Sequence, residues 1–197
     1  MSSKRFLAIT GIVGGGKSTL CLRLNQDYGF KVLSMDVLVS RAFVQPDVRK
    51  LLKSAFGLWE VPRSALRKVI LQGSDPEYGL DQEFRKEYLG LMNAHVQQFF
   101  AQDQSQFVEY PLLFELGAHQ QFEHVWCVGC PRDIQLQRLT KRLGSIEEAN
   151  MFINSQKSLE YKVKRSELYI DTAQFPDFKP AHNQLAAWGF TARTGQN

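Results

Sequence analysis

The chain has 197 residues, 44% of them hydrophobic and 22% charged, and 24 Lys and Arg against 20 Asp and Glu give a formal net charge of +4. That make-up belongs to an ordinary globular domain long enough to bury a core, and it excludes a disordered or fibrous chain. No stretch has the apolar length of a membrane span, and Met1-Ser2-Ser3-Lys4-Arg5 leaves no room for a removable leader before the first strand. A cytoplasmic location without a membrane partner is the expectation. The basic surplus suits a site that holds several phosphates. It is scattered, with concentrations at Arg132 to Arg142 and Lys157 to Arg165 and no basic tail, so no nucleic-acid partner is expected.

The apolar run Phe6-Leu7-Ala8-Ile9 predicts a buried strand. Gly11-Ile12-Val13-Gly14-Gly15-Gly16-Lys17-Ser18 then matches the phosphate loop G-x-x-x-x-G-K-[ST] at every fixed position. Gly14, Gly15 and Gly16 let the backbone curl so that its N–H groups converge on phosphate oxygens. Lys17 can reach the β- and γ-phosphates, and the Ser18 hydroxyl can bind Mg2+. Thr19 opens the helix behind the loop, whose N-terminus favours anions. That helix is expected from Gly16 to about Tyr28, with Gly29 as its stop.

Lys31-Val32-Leu33-Ser34 predicts a second strand. Asp36 follows at the carboxyl edge of the sheet, where ligands bind in open α/β folds. It suits a general base that takes a proton from an acceptor hydroxyl. It equally suits the N-cap of a helix starting near Val37. Residues 37–102 read as mostly helical, punctuated by Pro46, Gly57, Pro62 and Gly73-Ser74-Asp75-Pro76, with Glu83 to Phe100 the longest helix. This is the candidate for an inserted lobe that binds a second substrate.

Phe107-Val108-Glu109-Tyr110 predicts a third strand. Glu109 closes it as a magnesium-binding acid would, or as a solvated strand-end carboxylate. His124 to Val128 predicts a fourth strand. Cys127 and Cys130 form C-x-x-C, but Cys127 falls within that strand and no second Cys or His pair has zinc-ligand spacing. Core packing is therefore the expected role of the cysteines. A helix from Asp133 to Leu143 stops at Gly144, and Ser145-Ile146-Glu147-Glu148 caps the next. Arg138 and Arg142, four apart on one face, can close over a triphosphate as a lid, or form an exposed basic face. Lys157 and Lys162 carry the same two readings. Leu168-Tyr169-Ile170 predicts a fifth strand, and a last helix runs from about Ala181 to Trp188. Strands alternating with helices imply an α/β fold with a parallel sheet between two helical layers.

Several segments together resemble the dephospho-CoA kinase family over nearly the whole length. Ile9 to Thr19 is similar to its opening motif, Ser34-Met35-Asp36 to its Asp-x-Asp, and Pro111-Leu112-Leu113-Phe114-Glu115 to its distinctive Pro-Leu-Leu-x-Glu. Gln135 to Arg142 resembles its lid run, and Ser155-Gln156 its Ala-Gln. The resemblance implies a single P-loop NTPase domain over residues 1–197, with a five-stranded parallel sheet, a helical CoA-binding lobe at 37–102 and a lid at 132–160. It implies ATP-dependent phosphorylation of the ribose 3′-hydroxyl of dephospho-CoA, with Mg2+. Asp36 is then the base, Lys17, Arg138 and Arg142 assist transfer, Gly14 to Thr19 hold ATP, Ser18 and Glu109 hold the metal, and Arg63 and Glu115 join Asp36 in holding the acceptor. A monomer or small homo-oligomer is expected.

The sequence departs from the family pattern on the acceptor side. Ser34 stands for the first Asp, Pro62-Arg63 for Asp-Arg, Asn93-Ala94 for His-Pro, Ser166-Glu167 for Ala-Asp and Thr172 for a terminal Asn. Two further readings follow: a kinase for another nucleoside- or nucleotide-like acceptor, and a nucleotide-binding module without turnover.

Overall fold

A computed structural model describes residues 5–57, 66 and 80–193. Contacts divide the chain into two compact units, residues 1–34 with 105–197, and residues 35–104. The first carries a five-stranded sheet in the order β2-β3-β1-β4-β5. Its strands are β1 (Arg5–Gly11), β2 (Val32–Ser34), β3 (Phe107–Glu109), β4 (Phe122–Gly129) and β5 (Leu168–Asp171), and every pairing is parallel. Central β1 buries Leu7, Ala8 and Ile9 completely, as a strand covered on both faces requires. The chain builds β2 and β3 on one side of β1, then crosses to build β4 and β5 on the other. The loop after β1 therefore sits where the connections diverge, at the carboxyl edge.

Helix α1 (Lys17–Tyr28) buries Leu20, Cys21 and Leu24, spaced for one helical face, and ends at Gly29 with φ 73°. It packs into a core of Leu7, Ile9, Trp126, Val128 and Ile170. α5 (Arg132–Leu143), α6 (Ile146–Asn154), α7 (Leu159–Val163) and α8 (Lys179–Ala187) belong to the same unit. Ser145 caps α6, its side chain accepting from the Glu148 N–H. Sequence reading missed α7, whose cap is Ser158. The last helix starts two residues earlier than expected because Pro180 is favoured in a first turn.

The second unit contains α2 (Met35–Phe43), α3 (Pro46–Phe56) and α4 (Gln82–Gln102). α4 begins at the Asp81 cap and buries Tyr88, Met92, Val96 and Phe100, each four residues apart, while α2 contributes Leu38 and Ala42 and α3 Val48, Leu52 and Phe56. His95 Nε2 lies 2.8 Å from both carboxylate oxygens of Asp47, joining α4 to α3. Among the described residues no helix is long and apolar enough to cross a membrane.

Candidate active site

The phosphate loop leaves β1 through Gly11, whose φ is +145° and where a Cβ would lie 1.9 Å from Val128 O. Only glycine permits so close an approach of β1 to β4. Gly16 holds φ 97° and ends the loop as the N-cap of α1, without a side-chain cap. The first helical bond runs from Leu20 N–H to Gly16 O at 3.1 Å. The N–H groups of Lys17, Ser18 and Thr19 thus find no acceptor within the helix, and no acidic residue occupies its first turn. Such donors at a positive helix end suit a phosphate chain.

Lys17 is buried, its Nζ donating to Ile12 O at 2.8 Å inside the loop. Ser18 Oγ donates to Glu109 Oε1 at 2.7 Å. Glu109 is only 6% exposed, because β3 is an interior strand between β2 and β1. The solvated strand-end reading is therefore corrected: this carboxylate is held at the loop. Two hard oxygen groups side by side are what Mg2+ selects when substrate phosphates supply further ligands, so the pair fits that metal.

Of the two readings of Asp36, the structure bears on the N-cap. Helix α2 begins at Met35, so Asp36 lies within its first turn and is not its N-cap. Its side chain is exposed and, among the described residues, makes no hydrogen bond or ion pair; the Ser40 hydroxyl bonds only its carbonyl. Arg63 and Pro62 lie outside the described residues.

The predicted lid residues are placed unequally. Arg138 Nη1 donates to Thr172 Oγ1 at 2.8 Å and reaches Gly14 O at 3.4 Å, so this arginine is bonded to the loop. Arg142 is exposed and has no such partner among the described residues. Lys157 Nζ sits over the Tyr161 ring, 4.6 Å from its centroid. Lys162 corrects the reading of a mobile or exposed cation. It is fully buried and donates to Gly11 O at 3.1 Å and Pro111 O at 3.0 Å, with Glu115 Oε1 3.0 Å away. Glu115, expected to face the acceptor, turns inward. Its Oε1 also accepts the Lys157 N–H at 2.9 Å, while Oε2 is buried without a hydrogen-bond partner.

Three residues to which sequence reasoning gave no role also touch the loop. The Thr172 hydroxyl lies 3.0 Å from Gly15 O and 3.2 Å from Gly129 O, tying β5 to the loop at the position read as a departure. Gln135 Nε2 donates to Val13 O at 2.9 Å, and Gln156 Oε1 accepts from Val13 N–H at 3.2 Å. Their place in the lid motifs was the only sequence signal. Ile12, Cys130, Gln135, Gln156, Lys157 and Leu159 line a cavity of about 500 Å³ beside the loop. The three cysteines are free and buried. Burial pushes the Cys127 thiol up to about 12 and raises Cys21 and Cys130 as well.

Comparison with known proteins gives a consistent result. The model of the dephospho-CoA kinase family matches residues 5–177. A dephospho-CoA kinase of Syntrophotalea carbinolica is 36% identical over 84% of this chain and 82% of its own. One from Synechocystis is 28% identical over 94% and 95%. Among solved structures, TT1252 from Thermus thermophilus superposes with a TM-score of 0.76 at 26% identity, covering 98% of this chain and all (100%) of that one. The dephospho-CoA kinase of Campylobacter jejuni shares the fold, with a TM-score of 0.53 at 21% identity over 93% and 97%.

Proposed function

We propose how this chain's residues carry out phosphoryl transfer, from the premise that the chain belongs to the dephospho-CoA kinase family. It is an ATP-dependent kinase whose acceptor is dephospho-CoA and whose product is coenzyme A. The observation that carries the assignment of roles is the Ser18–Glu109 hydrogen bond of 2.7 Å at the end of the glycine loop. It joins a phosphate cradle to a metal-type acid.

The N–H groups of Gly14 and of Gly16 to Thr19 hold the donor's phosphates, while the Gly15 N–H closes the loop on Ile12 O at 3.1 Å, and Lys17 offsets charge as it shifts toward the leaving ADP. Ser18 and Glu109 hold Mg2+, which when bound neutralises phosphate charge. Asp36 accepts the proton of the ribose 3′-hydroxyl. Its support is its unengaged carboxylate and its place two residues beyond β2. Arg138, bonded beside Gly14, and Arg142, without a partner among the described residues, supply positive charge from α5 and restrict water, which would otherwise compete as acceptor. Residues 37–102 bind the acceptor, with Arg63 as one contact, while Glu115, turned inward onto Lys162 and the Lys157 N–H, holds its own segment in place.

The test is incubation with MgATP and a panel of dephospho-CoA, nucleosides and nucleoside monophosphates, reading ADP and the phosphorylated product. Stoichiometric coenzyme A from dephospho-CoA is expected. ADP formed only with a nucleoside or nucleotide would move the acceptor assignment, and nucleotide binding without ADP would leave a module without turnover.

A further inference from the structure

We infer that Gln135 and Gln156 form a paired clamp on Val13, positioning residues that fix the phosphate loop from the side of α5 to α7. The inference rests on the kinase reading only in requiring that the loop receive a nucleotide. Val13 lies two residues beyond the end of β1 and therefore has no strand neighbour to satisfy its backbone. Its carbonyl is met by Gln135 Nε2 at 2.9 Å, and its N–H by Gln156 Oε1 at 3.2 Å. The two amides cannot exchange roles. A backbone N–H can only donate and a carbonyl can only accept, so Gln156 must present oxygen and Gln135 nitrogen.

The clamp belongs to a wider contact. Gln135 is 4% exposed and shares one face of α5 with Arg138 and Leu139, at spacings of three and four residues. Arg138 reaches Gly14 O, and a Cβ on Gly14 would lie 3.2 Å from Leu139 Cγ. One helical face thus grips two successive loop residues, and the turn between α6 and α7 closes the other side through Gln156. A loop held this way keeps its donors aimed before nucleotide arrives, which lowers the ordering cost of binding. The bonds also couple the placement of α5 and of the α6–α7 turn to the shape of the cradle.

The experiment measures, by titration calorimetry with Mg2+ and no acceptor, the affinity for ADP and for a non-hydrolysable ATP analogue. Four variants are compared with the unaltered chain: Gln135→Met, Gln135→Glu, Gln156→Met and Gln156→Glu. Each Met variant keeps volume and loses one bond, and should weaken nucleotide binding by about 3- to 10-fold. Gln156→Glu keeps an acceptor for the Val13 N–H and should bind within about twofold of the unaltered chain. Gln135→Glu sets a carboxylate against Val13 O and should lose at least as much as Gln135→Met. In turnover, the Met variants should raise KM for ATP more than they lower kcat. Equal effects of the glutamate substitution at the two positions, or Met variants that bind as well as the unaltered chain, would overturn the clamp. Should the Gln135→Glu variant fail to fold in a melting scan, Gln156→Glu against Gln156→Met still decides. Failure of the kinase reading would appear elsewhere, as an unaltered chain that binds nucleotide but does not phosphorylate dephospho-CoA.

Discussion

Ser18 and Glu109 are 91 residues apart in the chain and 2.7 Å apart in space, hydroxyl to carboxylate. The parallel pairing of β3 beside β1 creates that contact, because Ile9 is in register with Glu109 and the loop follows at once. Under the proposed metal role the contact has a testable consequence. An amide in place of the acid would still accept from Ser18 but would carry no charge. Glu109→Gln should therefore raise the magnesium concentration for half-maximal ADP formation by about 10- to 100-fold, with little change in melting temperature. An unchanged magnesium titration would remove Glu109 from the metal site.

Asp36 and Lys17 should fail in different ways. Asp36→Asn should lower kcat by about 10²–10⁴ while KM for ATP stays nearly constant, since its exposed side chain has no partner among the described residues to lose. Lys17→Ala should raise KM for ATP and lower kcat together. Steady-state kinetics on both variants check the split, and full turnover by Asp36→Asn would rule it out as the base.

Lys162 and Glu115 form a buried pair whose value is conditional. Lys162→Met should destabilise the protein by about 3–5 kcal/mol, because a mostly buried carboxylate is left without its cation. Adding Glu115→Leu should recover most of that loss, since a matched apolar pair removes both charges. Urea unfolding of the two single variants and the double variant measures the coupling. A double variant that loses the sum of the single losses would show that the pair is not coupled.

The three cysteines should be silent in the folded state. Burial holds Cys127 up to about 12 and raises Cys21 and Cys130, so almost no thiolate is present at neutral pH. An aromatic disulfide reagent at pH 8 should leave the native protein unmodified and titrate three thiols after denaturation. Rapid native modification, or a Cys127–Cys130 disulfide formed under mild oxidation, would contradict this.

Sequence alone was enough for the phosphate loop, the five strands and the caps at Gly29, Gly144 and Ser145, because each depends on neighbours a few residues away. A glycine spacing, an apolar run and a serine three residues before a glutamate are local signals, and they survive folding unchanged. The burial of Glu109 and Lys162, the inward turn of Glu115, the bonding of Arg138 and the grip on Val13 were decided only by tertiary structure. Lys162 read as one member of a basic run. It became an interior cation because Gly11, Pro111 and Glu115, far away along the chain, present their oxygens at one point. Long-range convergence of polar groups leaves no periodicity in the chain, so the partners of a charged residue emerge only when the strands and helices are in place.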